Sequence, residues 1–218
     1  LSPLVEESEE DLRSLFSSTQ RYRSFLIPKR SGGLRKIDAP VGITRRIQRK
    51  LKPVLELAYK PHPSCHGFLA GRSIVTGASV HLGNRSFINL DIEDFFPSIV
   101  FRRVRGLLLS RPFEFNWFVA NVFAQAMTHG GLLPAGGITS PLLSSLICSG
   151  LDVRLSSLAG RFGGHYTRYA DDMTLSFPRP LDSLRPLVQA TESGFVLGSV
   201  LPQIIEEEGF RINTGKTS

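Results

Sequence analysis

The sequence predicts an α+β fold in which a small antiparallel sheet packs against helices. Residues 173–177 alternate apolar and polar side chains, which is the period of a strand with one packed face. Residues 87–92 alternate in the same way. The segment from 140 to about 160 is apolar on nearly every side after a Ser-Pro start, so it predicts one buried helix.

The run Tyr169-Ala170-Asp171-Asp172 lies between two predicted strands, 165–168 and 173–177. Its adjacent carboxylates therefore fall near the tip of a hairpin. Aspartate is a poor strand former, and two neighbouring anions repel each other unless water or a cation surrounds them. Because aspartate is also common in ordinary turns, a solvated polar turn is an alternative interpretation of these residues.

A third carboxylate, Asp91, lies near the end of the predicted strand 87–92. If the two acidic segments pair in one sheet, Asp91 converges with Asp171 and Asp172. Phosphoryl transfer by two Mg²⁺ ions needs such convergence, because hard cations prefer carboxylate oxygens and ions about 3.5–4 Å apart require several of them. The three carboxylates thus offer ligands for a two-metal site.

The composition favours a globular protein with a polyanionic partner. The chain has 218 residues, of which 41% are hydrophobic, so it can bury a sizeable core. Lys and Arg number 26 against 19 acidic residues, giving a formal charge of +7. Nucleic acid is the leading candidate partner. No apolar run has the length of a membrane span and no signal-peptide pattern opens the chain, so we expect a cytoplasmic protein with no membrane partner.

Two segments offer cations to such a partner, although a solvated basic surface explains each of them equally well, and a third segment offers close backbone approach. Residues 21–37 form a predicted hairpin around a Ser-Gly-Gly turn, with Lys29 and Arg35 near its tip. A helix capped by Thr44, with a kink or break at Pro53, carries basic side chains on one face. The glycine-rich segment 66–81 lets backbone approach a ligand closely. The candidate nucleic-acid contacts from the last two segments are Arg45, Arg46, Arg49, Lys50 and Arg72.

The remaining elements are mostly helical. An amphipathic helix is predicted over residues 4–16, and two helices that build a core layer over 101–109 and 114–129. A further helix should end at Glu208 with Gly209 following it, before a strand over 210–213.

Taken in order, these motifs resemble those of reverse transcriptases, most closely the bacterial retron-type enzymes. The resemblance covers nearly the whole chain. Residues 27–35 resemble the fingers motif, 66–74 the segment before the palm, and 90–99 the first palm motif. The further palm motifs correspond to 139–144, 169–172, and 209–213 with Lys216.

The resemblance implies roles for individual residues. Asp91 and Asp171 would bridge the metal ions, two Mg²⁺ with Mn²⁺ as a substitute, while Asp172 assists and the Ile92 carbonyl completes one shell. Lys216 would protonate the leaving pyrophosphate. Nucleotide-binding residues would be Lys29, Arg35 and Gly136, together with Phe96 as the gate that excludes a 2′-hydroxyl.

The resemblance also implies a right-hand polymerase fold. Fingers would occupy residues 1–86 and palm 87–218, with a helical fingers excursion around 104–133. Because the chain stops after the fourth palm motif, we expect no thumb and only weak, distributive primer extension. Two departures stand out: Ala135 replaces the usual Gln of a Pro-Gln-Gly motif, and Gly77 replaces the Asn of an Asn-Ala-x-x-His motif that ends at His81.

The expected function is RNA-directed DNA polymerisation with dNTPs on an RNA template and primer, in retrons a structured non-coding RNA, with an associated effector protein as a further partner. Alternatives within the enzyme class are a group II intron-type enzyme or an antiphage-defence reverse transcriptase. The alternative from another class is a scaffold that binds RNA through the basic helix face without polymerising. Intact Asp91, Asp171 and Asp172 argue against the scaffold, since unused clustered acids repel phosphate.

Overall fold

The computed structural model describes residues 21–29, 32–192 and 194–217, together with Ser8, Glu10 and Leu15. The predicted helix over residues 4–16 lies almost entirely outside the described residues. In chain order the regular elements are β1 (Tyr22–Pro28), β2 (Leu34–Pro40), α1 (Gly42–Ala58), α2 (Ile74–Ser79), β3 (Ser86–Asp91), α3 (Phe95–Ser98), α4 (Phe101–Leu109), α5 (Trp117–Met127), α6 (Ser140–Ile147), α7 (Ser149–Arg161), β4 (His165–Tyr169), β5 (Asp172–Phe177), β6 (Val188–Thr191), β7 (Gly194–Leu197) and α8 (Val200–Glu207).

The chain divides into two compact units, each assembled from two separate segments. The first unit takes in the described residues up to Lys60 together with Phe96–Ile147, and the second takes in Pro61–Phe95 together with the described residues from Cys148 onward. These boundaries differ from the predicted division at residue 86. The assignment of fingers and palm domains therefore stays a prediction.

The predicted basic hairpin is present in the first unit. β1 and β2 pair antiparallel from Tyr22 opposite Pro40 to Pro28 opposite Leu34. At the tip, the Lys29 backbone N–H donates to the Gly33 carbonyl at 3.0 Å. Gly32 and Gly33 both have positive φ, 87° and 79°, which explains why the turn uses glycine there.

Helix α1 forms as the apolar periodicity predicts, but its predicted start is wrong. Val41 is the N-cap residue, and the Thr44 side chain is buried inside the helix. The predicted break at Pro53 is also absent, since the helix runs through that residue to Ala58. Its buried face packs against α5 and α6, so tertiary packing outweighs the backbone hydrogen bond lost at proline.

The palm-like sheet lies in the second unit, with the strand order β3-β5-β4 and both pairings antiparallel. Residues paired directly across the sheet share a face. One face carries the apolar side chains of Leu90, Met173 and Leu175, all buried, and α7 packs against β4 and β5. The opposite face carries Asp91 and Asp172. The alternation in the sequence therefore correctly separates a packed face from a polar face.

The single helix predicted from 140 to about 160 is wrong, because the structure contains two. α6 ends at Ile147 and α7 begins at Ser149. Between them Cys148, with φ −79° and ψ 0°, belongs to neither helix and is the N-cap residue of α7. An apolar composition through the junction conceals the break, since buried residues on both sides are equally hydrophobic.

No single helix in the described ranges combines the length and apolar character needed to cross a membrane, although α6 and α7 together satisfy both criteria as a bent pair.

The mixture of antiparallel sheets and helices confirms the predicted α+β class. The helix at 200–207 ends as predicted, with Glu208 as its C-cap residue and Gly209 at φ 77° after it. The strand predicted over 210–213 is reduced to one antiparallel bridge, between Ile92 and Ile212.

Replacing Leu155 with Ala should destabilise the protein by about 2–5 kcal/mol, because the side chain is fully buried on the helix that covers the sheet. Urea unfolding followed by circular dichroism would measure this loss. Val153 on the same helix is 55% exposed, so Val153→Ala is the matched control and should have little effect. Equal losses in the two variants would contradict the assignment of α7 as the cover of the sheet.

Candidate active site

The three sequence-predicted carboxylates lie around one end of the sheet in the second unit. Asp91 is the last residue of β3 and pairs directly with Asp172, the first residue of β5. Directly paired residues in antiparallel strands have Cβ atoms about 4.5–5.5 Å apart, so these two carboxylates are neighbours. Asp171 precedes Asp172 in the turn, and its carbonyl accepts a hydrogen bond from the Ile92 N–H at 3.1 Å. The predicted convergence of β3 and the acidic hairpin is therefore observed.

The turn that presents Asp171 has an unusual backbone. Ala170 has φ 57°, in the left-handed region that non-glycine residues rarely adopt. Its carbonyl accepts a hydrogen bond from the Arg168 guanidinium at 3.2 Å, and Ala170 itself is buried. The surrounding structure, rather than the local sequence, thus holds this conformation.

Arg168 is in turn held by a buried ion pair with Asp152 of α7. Its Nε and Nη2 atoms donate to the two Asp152 carboxylate oxygens at 2.7 and 2.8 Å, and both side chains are almost fully buried. The Tyr166 hydroxyl donates to the same carboxylate at 3.0 Å. Burial, followed by the nearby Asp152 charge, raises the pKa of Tyr166 well above its usual value. The Tyr166 hydroxyl therefore stays protonated at neutral pH and acts as a hydrogen-bond donor to Asp152.

Gly67 packs directly against the backbone of the same turn. The segment 64–66 lies along β4, where Arg168 N–H donates to the Ser64 carbonyl and His66 N–H donates to the Arg168 carbonyl, both at 2.8 Å. The next residue, Gly67, is so close that a Cβ there would lie 2.7 Å from the Ala170 nitrogen. We expected glycines in 66–81 to admit a ligand. At Gly67 the close approach is instead to the chain's own acidic turn.

Asp91 is buried, and each of its carboxylate oxygens contacts one side chain from the 211–216 segment. Asn213 Nδ2 donates to Asp91 Oδ1 at 3.0 Å, and Lys216 Nζ lies 2.8 Å from Asp91 Oδ2. The hydrogen bond with Asp91, with the surrounding carboxylates, raises the pKa of Lys216, so its ammonium form is retained at neutral pH. The predicted Lys216 therefore lies at the site, and Asn213 is an addition.

The electrostatics at this end of the sheet favour a bound cation. Burial, then the charges of Asp171 and Asp91, raise the pKa of Asp172. Crowded carboxylate oxygens are the ligands that Mg²⁺ and Mn²⁺ prefer, so the donor chemistry fits the predicted cofactor. In the described part of the chain, however, no three His, Cys, Asp or Glu side chains already form one ligand set. Lys216 supplies the positive charge beside Asp91.

A histidine joins α2's C-terminal end to the polar face of the sheet. His81 Nδ1 lies 2.6 Å from Ser176 Oγ and Nε2 lies 2.7 Å from Thr167 Oγ1, so one ring links β5 and β4. Burial lowers the pKa of His81, and the nearby His165 and His66 lower it further. This is the histidine of the Asn-Ala-x-x-His resemblance, and it supports the strands that carry the acidic turn.

The predicted nucleotide-binding residues all lie in the first unit. Lys29 and Arg35 are exposed on the β1–β2 hairpin, and Phe96 is half-buried in α3. Gly136 packs against β2: it has φ 118°, and a Cβ there would lie 2.7 Å from Ile37 Cγ2. The neighbouring Ala135 carbonyl accepts a hydrogen bond from the Asp38 N–H at 2.9 Å.

A basic cleft of about 890 Å³ opens in the same unit. Its lining combines three arginines, an exposed phenylalanine and two residues of the 136–138 loop; the full set is Arg23, Phe25, Ala39, Pro40, Val41, Arg45, Arg49, Gly136 and Ile138. The structure thus brings together Arg45 and Arg49 from the predicted basic helix face and adds Arg23 and Phe25. Arg46 and Lys50 lie on the same helix outside this lining.

Arg72 is the predicted nucleic-acid contact for which the structure shows another use. Its guanidinium donates to the carbonyls of His62, Pro63 and Cys65, which closes the loop beside β4. These bonds favour a structural role, and nucleic-acid binding by Arg72 stays a prediction.

Two of the residues that sequence reasoning missed, Arg168 and Asp152, share one signal, a charged side chain on an apolar face. Arg168 shares the packed face of β4 with Tyr166, and Asp152 lies within an otherwise apolar helix face. Two isolated opposite charges on buried faces predict an ion pair. Asn213 and Gly67 carried no comparable signal.

Comparison with known proteins identifies the class. The family described as reverse transcriptase (RNA-dependent DNA polymerase) matches residues 27–218, and the chain belongs to this family. A telomerase structure from Candida albicans, in complex with the TWJ fragment of telomeric RNA, is 13% identical, covers 90% of this chain and 42% of its own, and has a TM-score of 0.58. At that identity the likeness shows the polymerase fold alone.

Within the family, the curated relatives include several retron enzymes. The chain is 37% identical to the retron Mx65 reverse transcriptase of Myxococcus xanthus over 91% of this chain and 48% of that protein. It is 34% identical to the retron Ec86 reverse transcriptase of Escherichia coli over 100% of this chain and 65% of that protein. The chain is therefore similar to retron reverse transcriptases, and it spans about half the length of the Mx65 relative.

Replacing Asp152 with Asn should destabilise the protein by about 3–5 kcal/mol, because it leaves the buried Arg168 guanidinium without its anion. Urea unfolding would measure the change. Glu207→Gln, which breaks an exposed ion pair with Arg154, is the control and should leave the free energy of unfolding close to that of the unmodified chain. An Asp152→Asn variant as stable as the control would show that the pair does not hold the hairpin.

Replacing His81 with Gln should flatten the pH dependence of stability below neutrality. Because folding lowers the pKa of His81, the unfolded chain binds more protons below its pKa of about 6.5, and the folded state loses stability as pH falls. Comparing unfolding free energies at about pH 7.5 and about pH 5.5 should show a smaller loss in the variant. His62→Gln, at a histidine that is not among the groups lowering the pKa of His81, is the control; equal slopes in His81→Gln and the unmodified chain would contradict the prediction.

Proposed function

We propose that this chain carries the polymerase core of a retron-type reverse transcriptase, which adds dNTPs to a 3′-hydroxyl under the direction of an RNA template. The observation that carries the proposal is the pairing of Asp91 with Asp172 beside Asp171, in a member of the reverse transcriptase family. The retron relatives support the retron type over the group II intron and other defence types. A structured non-coding RNA as template and primer, and an associated effector protein, are part of the proposal.

Asp91 and Asp171 are the proposed ligands of two Mg²⁺ ions, with Asp172 assisting and the Ile92 carbonyl completing one shell. When bound, the ions would lower the pKa of the attacking hydroxyl and neutralise charge at phosphorus. The chain itself supplies the geometry: β3 and β5 fix Asp91 opposite Asp172, and the Ile92 N–H holds the Asp171 carbonyl. Mn²⁺ prefers the same oxygen ligands.

The basic side chains have proposed roles in handling phosphate. Lys216 remains protonated beside Asp91, and its ammonium is the proposed proton donor to the leaving pyrophosphate. The exposed Lys29 and Arg35 at the β1–β2 hairpin bind the incoming triphosphate, and Gly136 lets backbone approach it. Phe96 excludes a 2′-hydroxyl by steric contact with the sugar.

The basic cleft of the first unit is the proposed site for single-stranded nucleic acid. Arg23, Arg45 and Arg49 offer guanidinium groups to phosphates, and the exposed ring of Phe25 offers a stacking surface for a base. Arg46 and Lys50 extend the positive charge along α1. This combination of stacking and charge suits an RNA template, which must be bound without regard to sequence.

Replacing Asp91 or Asp171 with Asn should lower primer extension by about 10³-fold or more, because the loss of a ligand costs several kcal/mol of transition-state stabilisation. The assay extends a DNA primer on RNA with the chain in excess of the primed template, so that weak binding does not limit the reaction. Glu93→Gln, which alters an exposed acid two residues from Asp91, is the matched control and should retain extension.

Mn²⁺ binding followed by electron paramagnetic resonance gives a second readout that needs no turnover. The unmodified chain and the Glu93→Gln variant should bind Mn²⁺, and the two Asn variants should bind it more weakly. Retained extension in Asp171→Asn would refute the site. Nucleic-acid binding with neither extension nor Mn²⁺ binding in the unmodified chain would instead favour the non-polymerising scaffold.

A further inference from the structure

A buried glutamine of α1 bonds directly to the loop that forms one wall of the basic cleft. Gln48 is fully buried, and its Oε1 accepts a hydrogen bond from the Ile138 backbone N–H at 2.8 Å. Ile138 and Gly136 line the cleft, whereas Gln48 does not. The side chain therefore touches the wall of the cleft from behind.

The other end of the Gln48 amide is fixed to the core of the same unit. Its Nε2 donates to the Tyr22 hydroxyl and to the Ala126 carbonyl, each at 2.8 Å. The Tyr22 hydroxyl donates to the same Ala126 carbonyl at 3.0 Å. The amide thus uses its donors to anchor itself to β1 and α5 and leaves its oxygen for the loop, so its orientation is determined.

The loop has a second attachment, on β2. The Asp38 N–H donates to the Ala135 carbonyl at 2.9 Å, and Gly136 packs tightly against Ile37. These two contacts fix residues 135 and 136 but leave residue 138 to Gln48. The Ile138 N–H is part-buried, so leaving it without a partner is costly, and removing the Gln48 oxygen should move or loosen the 137–138 part of the wall.

We infer that Gln48 is a positioning residue that holds the 136–138 wall of the cleft in the shape that binds single-stranded nucleic acid. This inference rests on the proposed function of the cleft. Gln48 acts through Ile138 and contacts no ligand. The loop itself has alanine at position 135. The glutamine that bonds to this loop is Gln48 of α1.

The test compares Gln48→Met with Tyr22→Phe. Methionine keeps the length and fills the space of glutamine but offers Ile138 no strong acceptor. Tyr22→Phe disturbs the same buried network, yet it leaves the bond from Gln48 to Ile138 in place. Gln48→Asn, which keeps the amide but shortens it by one methylene, is the second variant should Gln48→Met fail to fold.

Two measurements on each variant decide the matter. Hydrogen exchange of the 134–139 peptide should speed up in Gln48→Met and remain unchanged in Tyr22→Phe. The affinity for a labelled single-stranded RNA, measured by fluorescence anisotropy, should fall about 2- to 10-fold in Gln48→Met, as expected for one lost hydrogen bond, and remain near that of the unmodified chain in Tyr22→Phe.

Failure of the inference is distinguishable from failure of the proposed cleft. The double variant Arg45→Ala, Arg49→Ala tests the cleft alone and should weaken RNA binding strongly. If it does so while Gln48→Met binds RNA normally, or while Tyr22→Phe loses as much affinity as Gln48→Met, the positioning role is overturned. If the double variant binds RNA normally, the cleft is not the RNA site, and the inference falls with it.

Discussion

The buried ion pair between Arg168 and Asp152 is the interaction on which the candidate active site depends. The guanidinium is almost inaccessible to solvent, and it bonds to both oxygens of the carboxylate as well as to the Ala170 carbonyl. Such a pair contributes little net stability compared with well-packed apolar side chains of the same volume. Its value here is geometric. It couples the helix that covers the sheet to the backbone of the turn that presents Asp171, where the left-handed conformation of Ala170 would not persist unaided.

The polar face of the sheet is organised by a second set of buried contacts. His81 links Thr167 and Ser176 across β4 and β5, and the bonds from Asn213 and Lys216 fix the Asp91 carboxylate. The acidic end is therefore held from both faces before any ligand arrives. Preorganisation of this kind matters for phosphoryl transfer, because the protein contributes position and electrostatics rather than covalent chemistry.

How much the sequence predicted varies with the range of the interactions involved. The alternation in 87–92 and 173–177 predicted two strands, because strand period is a local property. The positions of the acids at the strand ends predicted that Asp91 and Asp172 lie close together. The break at Cys148 was missed because apolar residues continue through it. Propensity predicted Thr44 as the N-cap residue, whereas the helix begins at Gly42 and Thr44 is buried on its packed face. Gly67 and Gln48 act on residues more than 80 positions away, and no local pattern encodes such a distance.

Both outer strands of the acidic sheet already have a partner at their acidic end. On one side Cys65 bridges to Arg168 in parallel, and on the other Ile92 bridges to Ile212 in antiparallel fashion. Unpaired strand edges invite other chains to add strands, which leads to aggregation or unintended assembly. Each bridge is a single residue pair, so it pairs the strand backbone at the acidic end alone. Strand addition by another protein is thereby disfavoured at that end, on both sides of the sheet.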